Sequence, residues 1–300
     1  MKRIAIITGA GPTLGTGHLQ RMALLAHYLQ ADGNYEVNLV TEALLPDELE
    51  DLRHSEVSQT TSLIIRDMRD SDKDEMDRLQ KIAPVLALDD AGPGGSLADH
   101  RLNLLPSPPG AQNDRDYNPS LFLYGYNFAR SLKKLENRQL QRSIDLVIYP
   151  GANPSEKTLA RYRDLIPSGK SAGFFYNNLF QVTGSQSLPQ KLENSFAGIL
   201  LSSRVLLTYF GISLFEGHAA GCRLGVLDPG DYHNSLTSQI DWSTLYNLGT
   251  WQDIDTKKVK TEIGQIIEET ENRPSKPGEM YRDIIERCSR VKDIINAIIS

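Results

Sequence analysis

The sequence predicts an α/β protein built from two Rossmann-like domains. Short apolar runs alternate with amphipathic helical segments along most of the 300 residues, which is typical of a parallel sheet with crossover helices. The chain is too long for one ordinary small core. A glycine-containing turn follows an apolar run early in each half, at residues 9–17 and 151–154. Together these observations indicate two domains of the same class.

In the first half, apolar runs predict the strands, and segments with helical spacing of apolar residues predict the helices. Residues 91–119 are rich in Gly, Pro, Asn and Asp and predict mostly loop. The predicted strands are 3–8, 36–41, 62–66, 85–88 and 121–124, and the predicted helices are 17–30, 46–54 and 71–82.

The second half repeats this alternation after a charged helical stretch at 131–142. We therefore expect an N-terminal domain at 1–135, a C-terminal domain at 143–275, and a last helix within 276–300 that packs back on the junction. The predicted strands are 144–149, 171–175, 205–209 and 224–227, and the predicted helices are 190–203, 213–220, 234–246, 256–270 and 277–298.

Composition excludes several classes of function. The formal net charge is -6, which argues against non-specific nucleic-acid binding. Two cysteines without a CxxC pair fit a reducing compartment and argue against a structural zinc site. No apolar stretch approaches the roughly 20 residues that span a bilayer, and the apolar N-terminal run predicts a core strand rather than a signal peptide. We expect a cytoplasmic protein without nucleic-acid partners or stable membrane insertion; the oligomeric state is open.

The first candidate site is the turn after the first strand, with Gly15, Gly17, His18 and Arg21. Glycines let backbone N–H groups approach a ligand, and a helix N-terminus favours negative charge. A neutral imidazole there is a candidate proton acceptor near a phosphate. The turn lacks the Lys-Ser/Thr of a Walker loop and fits a dinucleotide fingerprint poorly. The alternative is a tight turn whose histidine only caps or packs.

The second candidate site is Gly211, Ser213 and Glu216, directly after a predicted strand. In one interpretation Ser213 is a helix N-cap and forms a capping box with Glu216. In the other, backbone N–H groups and Ser213 hold a phosphate while Glu216 binds a ribose diol. One such motif in each half favours a ligand held between two Rossmann-like domains.

Aspartates after two apolar strands form a third candidate group, because ligands of α/β sheets bind at the carboxyl edge. They are candidates to bind Mg²⁺ or position a sugar hydroxyl; the alternative is that they cap turns. His233, in a predicted loop beyond a strand, is a further candidate for ligand contact. The aspartates are Asp67, Asp70, Asp89 and Asp90.

Several motifs occur in the order and spacing of a known family, over roughly residues 1–245. The chain resembles the UDP-sugar hydrolases of the pseudaminic-acid pathway, which belong to the GT-B superfamily together with the lipid II GlcNAc-transferase. The matching motifs are Gly15-x-Gly17-His18-x-x-Arg21, the strand ending in Asp67, Asp89-Asp90 followed by Asn103, Tyr124-Gly125, Gly151-Ala152-Asn153-Pro154 and Gly211-x-Ser213-x-x-Glu216.

The resemblance implies two Rossmann-like domains that face each other across a cleft, with UDP mainly against the second. It implies inverting hydrolysis of a glycosyl–phosphate bond without metal or other cofactor. His18 would orient or deprotonate the attacking water, and Ser213 with nearby N–H groups would contact the diphosphate. The implied substrate-binding residues are Gly15, Gly17, Arg21, Asp67 and Arg69, and the implied nucleotide-binding residues are Gly151, Asn153, Gly211, Ser213, Glu216, His233 and Asn234.

The chain departs from the family pattern at three places. Arg69 stands where a tyrosine is expected, Asn153 where an aspartate is usual, and Tyr232-His233-Asn234 replaces an Asn-Gln pair. These positions lie where sugar and nucleotide would bind. Two alternatives therefore stay open: a GT-B glycosyltransferase, and a non-catalytic protein that binds a nucleotide sugar.

Overall fold

The computed structural model describes residues 1–11, 15–45, 47–107, 117–183, 194–270 and 274–300. The chain divides into two compact units, one of residues 1–126 with 283–300 and one of residues 127–282. Each unit holds one six-stranded sheet, and α-helices or 3₁₀ turns connect most pairs of successive strands. The predicted α/β class with two Rossmann-like units is confirmed.

The first unit contains a fully parallel sheet in the order β3-β2-β1-β4-β5-β6. The strands β2 and β3 are added on one side of β1, and β4, β5 and β6 are added on its other side. The direction of the chain along the sheet therefore reverses between β1 and β4, which is the topological switch point. The elements are β1 (Lys2–Thr8), α1 (Gly17–Ala31), β2 (Tyr35–Val40), β3 (Arg53–His54), β4 (Leu63–Asp67), α2 (Lys73–Gln80), β5 (Val85–Leu88) and β6 (His100–Leu102).

Burial explains why this sheet forms. The strand β4 is buried along its whole length, as expected for a central parallel strand covered on both faces. The side chains of Ile4, Ile6 and Ile65 are inaccessible to solvent, as are Met22 and Leu25 of α1. The parallel register pairs the last residue of β1 with the last residue of β4, which aligns their carboxyl ends.

The second unit repeats this strand order as β9-β8-β7-β10-β11-β12, and only β9 is antiparallel to its neighbour. Its switch point lies between β7 and β10. The elements are α3 (Tyr126–Lys134), β7 (Ile144–Ile148), α4 (Glu156–Asp164), β8 (Ala172–Tyr176), β9 (Leu179–Thr183), α5 (Phe196–Leu201), β10 (Ser203–Thr208), α6 (Ile212–Ala219), β11 (Arg223–Asp228), α7 (Asp231–Thr237), β12 (Leu245–Thr250), α8 (Thr256–Glu268) and α9 (Pro277–Ile299).

The last part of α9 belongs to the first unit and is held there by polar and aromatic contacts. Lys292 Nζ lies 3.2 Å from Asp32 Oδ1, and the Arg287 guanidinium lies 5.5 Å from the ring centre of Tyr124. None of the helices within the described ranges combines the length and the apolar character needed to cross a membrane.

Several predicted elements are wrong. Residues 121–124 form no strand; a 3₁₀ turn, Pro119–Leu121, begins where Asn118 accepts a hydrogen bond from the backbone N–H of Ser120. The predicted helix 46–54 is a 3₁₀ turn, Asp47–Leu52, followed by β3.

Four strands were missed, namely β3, β6, β9 and β12. The predicted loop 91–119 contains β6, a strand of only three residues, and its residues 108–116 lie outside the described part of the chain. The predicted helix 234–246 ends at Thr237, and β12 follows from Leu245. Apolar residues at 236, 240 and 245 imitate a helical period across what is a helix, a turn and a strand. Residues 190–193 of another predicted helix also lie outside the described part.

Candidate active site

The first site is built at the switch point of the first sheet, where β1 and β4 end and α1 begins. Gly15 N–H donates to the Gly11 carbonyl over 2.7 Å, and Gly11 N–H donates to the Gly15 carbonyl over 3.1 Å. Gly15 has φ +74°, in the left-handed region that favours glycine. The residue before α1, Thr16, provides no side-chain cap. The turn therefore brings the first turn of α1 to the carboxyl edge of the sheet.

His18 and Arg21 project from one face of α1 toward Asp67 at the end of β4. His18 Nδ1 lies 2.8 Å from Asp67 Oδ1, and Arg21 Nε donates to Asp67 Oδ2 over 2.6 Å. Arg21 Nη2 also donates to Asp67 Oδ1, which completes a two-pronged pairing. Asp67 is fully buried, and His18 is 8% exposed. The structure thus brings Asp67, of the third candidate group, together with His18 and Arg21 of the first.

This arrangement assigns the proton on the His18 ring. An ionised carboxylate only accepts hydrogen bonds, so the short contact with Asp67 requires a hydrogen on Nδ1. Arg21 Nη2 also lies 3.3 Å from Nδ1, but a guanidinium cannot accept that hydrogen. Neutral His18 therefore carries its lone pair on Nε2, which is the atom that can take a proton from a substrate. The assignment rests on the hydrogen-bond pattern.

The charges around Arg21 are balanced by two buried carboxylates. Burial opposes the ionisation of Asp67, but the charges of Arg21 and His18 outweigh it and lower the pKa of Asp67 to about 2. Burial also opposes the charge on Arg21, and Asp67 and Asp89 reverse this effect and raise its pKa. Burial raises the pKa of Asp89, with a further contribution from Asp67, while Arg21 acts in the opposite direction.

Asp89 and Asp90 are adjacent but serve different parts of the unit. Asp89 Oδ2 forms an ion pair with Arg21 Nη1 at 2.7 Å. Asp90 instead accepts from Arg66 Nη1 over 2.8 Å and from the backbone N–H groups of Ser71 and Gly92 over 3.0 Å each. Asp90 therefore ties loops together, in agreement with the turn-capping interpretation.

The other predicted residues of this edge lie outside the His18 cluster. Asp70 and Arg69 occupy an exposed turn beyond β4, where Asp70 adopts a left-handed φ of +49°. Within the described residues, no group of three or more His, Cys, Asp or Glu side chains is arranged to hold a metal ion.

In the second unit, α6 begins at the carboxyl end of β10, next to the switch point. Its N-cap is Gly211, which provides no side-chain hydrogen bond. Gly211 has an extended backbone, and a Cβ there would meet only a Tyr209 ring carbon at 4.0 Å. Neither the conformation nor the packing of the described neighbours requires glycine. Because glycine has no side chain, no N-cap side chain accepts a hydrogen bond from the first N–H groups of α6.

The capping-box interpretation of this motif is wrong. Ser213 is the second residue of α6 rather than its N-cap, and its hydroxyl lies 3.1 Å from Thr208 Oγ1. Glu216 is the fifth residue of the helix and is 5% exposed. Burial raises the pKa of the neighbouring Tyr149 phenol, and the nearby Tyr209 and Glu216 raise it further. The charge of Glu216 thus acts on the phenol of Tyr149, the residue directly after β7.

Asp228 is a buried residue of this edge that sequence reasoning missed. Its Oδ1 accepts from the Phe210 backbone N–H over 2.9 Å, and its Oδ2 accepts from the Thr237 hydroxyl over 2.7 Å. Asp228 thereby fixes the turn before Gly211 and also α7. Burial raises the pKa of this carboxyl. The available signal was an aspartate at the end of an apolar strand, directly before Pro229-Gly230.

The remaining predicted nucleotide residues are spread along the same edge. His233 lies in α7 rather than in a loop, and its ring meets Tyr209 edge to face with centres 6.0 Å apart. Gly151 has φ +107°, and a Cβ there would lie 3.2 Å from the Tyr209 hydroxyl, so glycine is required. Asn234 Oδ1 accepts from the Asn247 side chain over 2.9 Å, and Asn153 is exposed between β7 and α4.

Solved structures with this fold cover almost the whole chain. A Listeria monocytogenes protein assigned as a UDP-N-acetylglucosamine 2-epimerase is 12% identical with a TM-score of 0.57, over 99% of this chain and 96% of that one. S. aureus MnaA with UDP is 12% identical with a TM-score of 0.56, over 99% and 96%. Spinosyn rhamnosyltransferase SpnG with thymidine diphosphate is 12% identical with a TM-score of 0.55, over 98% and 100%.

These similarities establish the fold: two Rossmann-like domains of the GT-B type. At such identities the similarity extends to the fold and not to the activity. No protein-family model matches the sequence, and no curated protein sequence matches it.

Proposed function

We propose that this protein is an enzyme that hydrolyses the glycosyl–phosphate bond of a nucleotide sugar, with a UDP-linked amino or deoxy sugar as the substrate. The observation that carries the proposal is the buried pair of His18 and Asp67, with Nδ1 and Oδ1 2.8 Å apart. The pair lies at the switch point of a Rossmann-like sheet, where such sheets bind ligands. The shared fold with proteins solved with UDP or thymidine diphosphate supports the nucleotide.

In the proposed reaction, His18 Nε2 takes a proton from water while the water oxygen bonds to the anomeric carbon. The bond from that carbon to the phosphate oxygen breaks, and its electron pair leaves with UDP. Asp67 stabilises the positive charge that the imidazole ring acquires, as the carboxylate of a catalytic triad does. Because the water attacks opposite the leaving group, the configuration of the sugar is inverted, as in inverting glycosidases.

The proposed role of the second unit is to bind the nucleotide. The uncapped N-terminus of α6 offers backbone N–H groups and a positive dipole end to the diphosphate, with Ser213 beside them. Such donors stabilise the negative charge that grows on UDP as the bond breaks. Glu216 accepts hydrogen bonds from the two ribose hydroxyls. Gly151, Asn153, His233 and Asn234 remain proposed nucleotide contacts.

The test begins with isothermal titration of UDP, with CDP and GDP as controls, and continues with UDP release from a panel of UDP-amino sugars. Micromolar, uridine-selective binding and UDP release without any acceptor are expected. His18→Asn should lower turnover about 10²- to 10⁴-fold and leave UDP affinity within a few-fold. His54→Asn, at an exposed position on β3, is the matched control.

Glu216→Gln should do the reverse and weaken UDP binding about tenfold or more, since a charge-assisted hydrogen bond is lost. Glu268→Gln, an exposed carboxylate of α8, is its control. Equal loss of UDP affinity in the His18 and Glu216 variants contradicts the assigned roles. UDP release that requires an acceptor hydroxyl identifies the protein as a transferase. The structurally similar SpnG is named a rhamnosyltransferase. Binding without turnover of any sugar identifies a binding protein.

A further inference from the structure

Arg21 is held from two sides by different carboxylates. Its Nε and Nη2 face Asp67, and its Nη1 faces Asp89 Oδ2 at 2.7 Å. We propose that Asp89 is a positioning residue for the catalytic base: it fixes Arg21, Arg21 fixes Asp67, and Asp67 fixes the His18 ring. The proposal rests on the proposed function, in which His18 is that base.

Asp89 is itself anchored by the backbone of the loop after β6. Its Oδ1 accepts from the N–H groups of Leu104 over 2.6 Å and Leu105 over 2.9 Å. Asp89 adopts φ +48°, a left-handed conformation that is strained for a residue other than glycine. Such a conformation persists only where the surroundings hold it. Arg21 and the two backbone N–H groups all present donors to this carboxylate, which accepts them.

The geometry of the guanidinium carries the effect from Asp89 to His18. The group is planar, so Nε and Nη2 cannot keep their positions if Nη1 loses its partner and turns away. Arg21 is 2% exposed, so water does not easily replace that partner. Asp67 Oδ1 is shared by Arg21 and His18, and its carboxylate is oriented by the guanidinium. Loss of Asp89 therefore loosens the His18 ring through two intermediate side chains.

Asp90 provides a matched control in the next position of the chain. It is 3% exposed, and it also binds an arginine and two backbone N–H groups, but the arginine is Arg66. Asp90→Asn therefore removes a buried carboxylate of the same loop without removing a partner of Arg21. A merely structural effect appears in both variants, whereas a positioning effect appears only in Asp89→Asn.

The test is proton NMR of the unliganded full chain with ¹⁵N-labelled histidine. The hydrogen on His18 Nδ1 should resonate far downfield and exchange slowly with water, because it is buried and bonded to a carboxylate. Its assignment comes from its absence in His18→Asn. Asp89→Asn is expected to broaden or shift this resonance and to speed its exchange, and Asp90→Asn is expected to leave it unchanged. Unchanged position and exchange in Asp89→Asn, or equal loss in both variants, overturns the proposal.

A second variant protects the test against misfolding. If Asp89→Asn does not fold, Arg21→Lys takes its place, since an ammonium keeps the charge but cannot span two carboxylates. Retention of the wild-type resonance in Arg21→Lys overturns the proposal. Because the resonance is measured without ligand, an enzyme inactive on every nucleotide sugar refutes the proposed function and not the positioning role. Where turnover is found, Asp89→Asn should lower kcat on the order of 100-fold with KM within threefold, whereas Asp90→Asn should keep both within threefold.

Discussion

The buried Asp67 should make the stability of the first unit depend on pH in the acid range. Its pKa in the folded protein is about 2, against an ordinary value of 3.8. A carboxyl whose pKa is lower in the folded state than in the unfolded state stabilises the folded protein at any pH above the unfolded-state pKa. This stabilisation is lost as the pH falls through the folded-state pKa. This pKa difference of nearly two units means that ionised Asp67 contributes about 2 kcal/mol to the free energy of unfolding at neutral pH. About half of this contribution should be lost by pH 3.

The measurement is urea unfolding of the wild type and Asp67→Asn at pH 7, 5 and 3, followed by circular dichroism. Both tryptophans, Trp242 and Trp251, lie in the second unit, so their fluorescence identifies the transition of that unit separately. At pH 7 the variant should be less stable by about 3–5 kcal/mol, because Arg21 loses a buried partner. Between pH 7 and pH 3 the difference should narrow by about 1 kcal/mol.

Asp228→Asn is the control, because the pH dependence of the stability difference has the opposite sign at this residue. Burial raises the pKa of Asp228, so its ionised form is disfavoured in the folded state, and the wild type gains stability relative to this variant as the pH falls. A difference between the wild type and Asp67→Asn that is the same at pH 7 and pH 3 would refute the reasoning.

Three further predictions concern glycines and thiols. Gly211→Ala should leave the melting temperature unchanged, because nothing within 3.9 Å opposes a Cβ. If a phosphate approaches α6 there, the same variant should weaken UDP binding about tenfold in titration. Equal UDP affinity of variant and wild type contradicts the proposed phosphate site. Gly94→Ala should lower the free energy of unfolding in urea by about 1–3 kcal/mol, since a Cβ would lie 2.1 Å from the Asp72 carbonyl oxygen. An unchanged midpoint of urea unfolding would show that the loop relaxes. Cys222 and Cys288 should react with a thiol reagent only after unfolding, because both are buried and burial raises the pKa of Cys288 to about 12; rapid reaction of the native protein contradicts this.

The members of the His18 cluster were predictable one by one, and the resemblance implied that they serve one site, but the direct contact of their side chains was not predictable. Helical spacing places His18 and Arg21 on one face of α1, and Asp67 stands at the end of an apolar run. Their contact depends on β1 pairing with β4 in a register that aligns Thr8 with Asp67. That pairing joins residues almost sixty positions apart, and no local pattern specifies it.

The choice between Asp89 and Asp90 shows a second limit of prediction from sequence. Both follow the same apolar strand, and composition gives no reason to prefer either. The left-handed backbone at Asp89 turns its side chain to Arg21. Aspartate tolerates this conformation better than most residues, but the same is true of its neighbour. The capping-box prediction failed for a related reason: the sequence pattern fits, but α6 begins one residue before Ser213. A shift of one residue changes the role of a capping side chain, and boundaries are the weakest part of a sequence prediction.

The two sheets share one strand order, yet they leave different groups available at their carboxyl edges. In the first, Arg21 lies between Asp67 and Asp89, and Asp67 holds one imidazole, whose Nε2 remains to act. In the second, Asp228 binds backbone and hydroxyl donors, and what remains is the uncapped start of α6. Proton transfer requires one accurately placed atom, whereas anion binding requires several donors. This difference is the physical reason for the proposal that proton transfer belongs to the first unit and nucleotide binding to the second, and it is why His18 and Glu216 variants should fail in different assays.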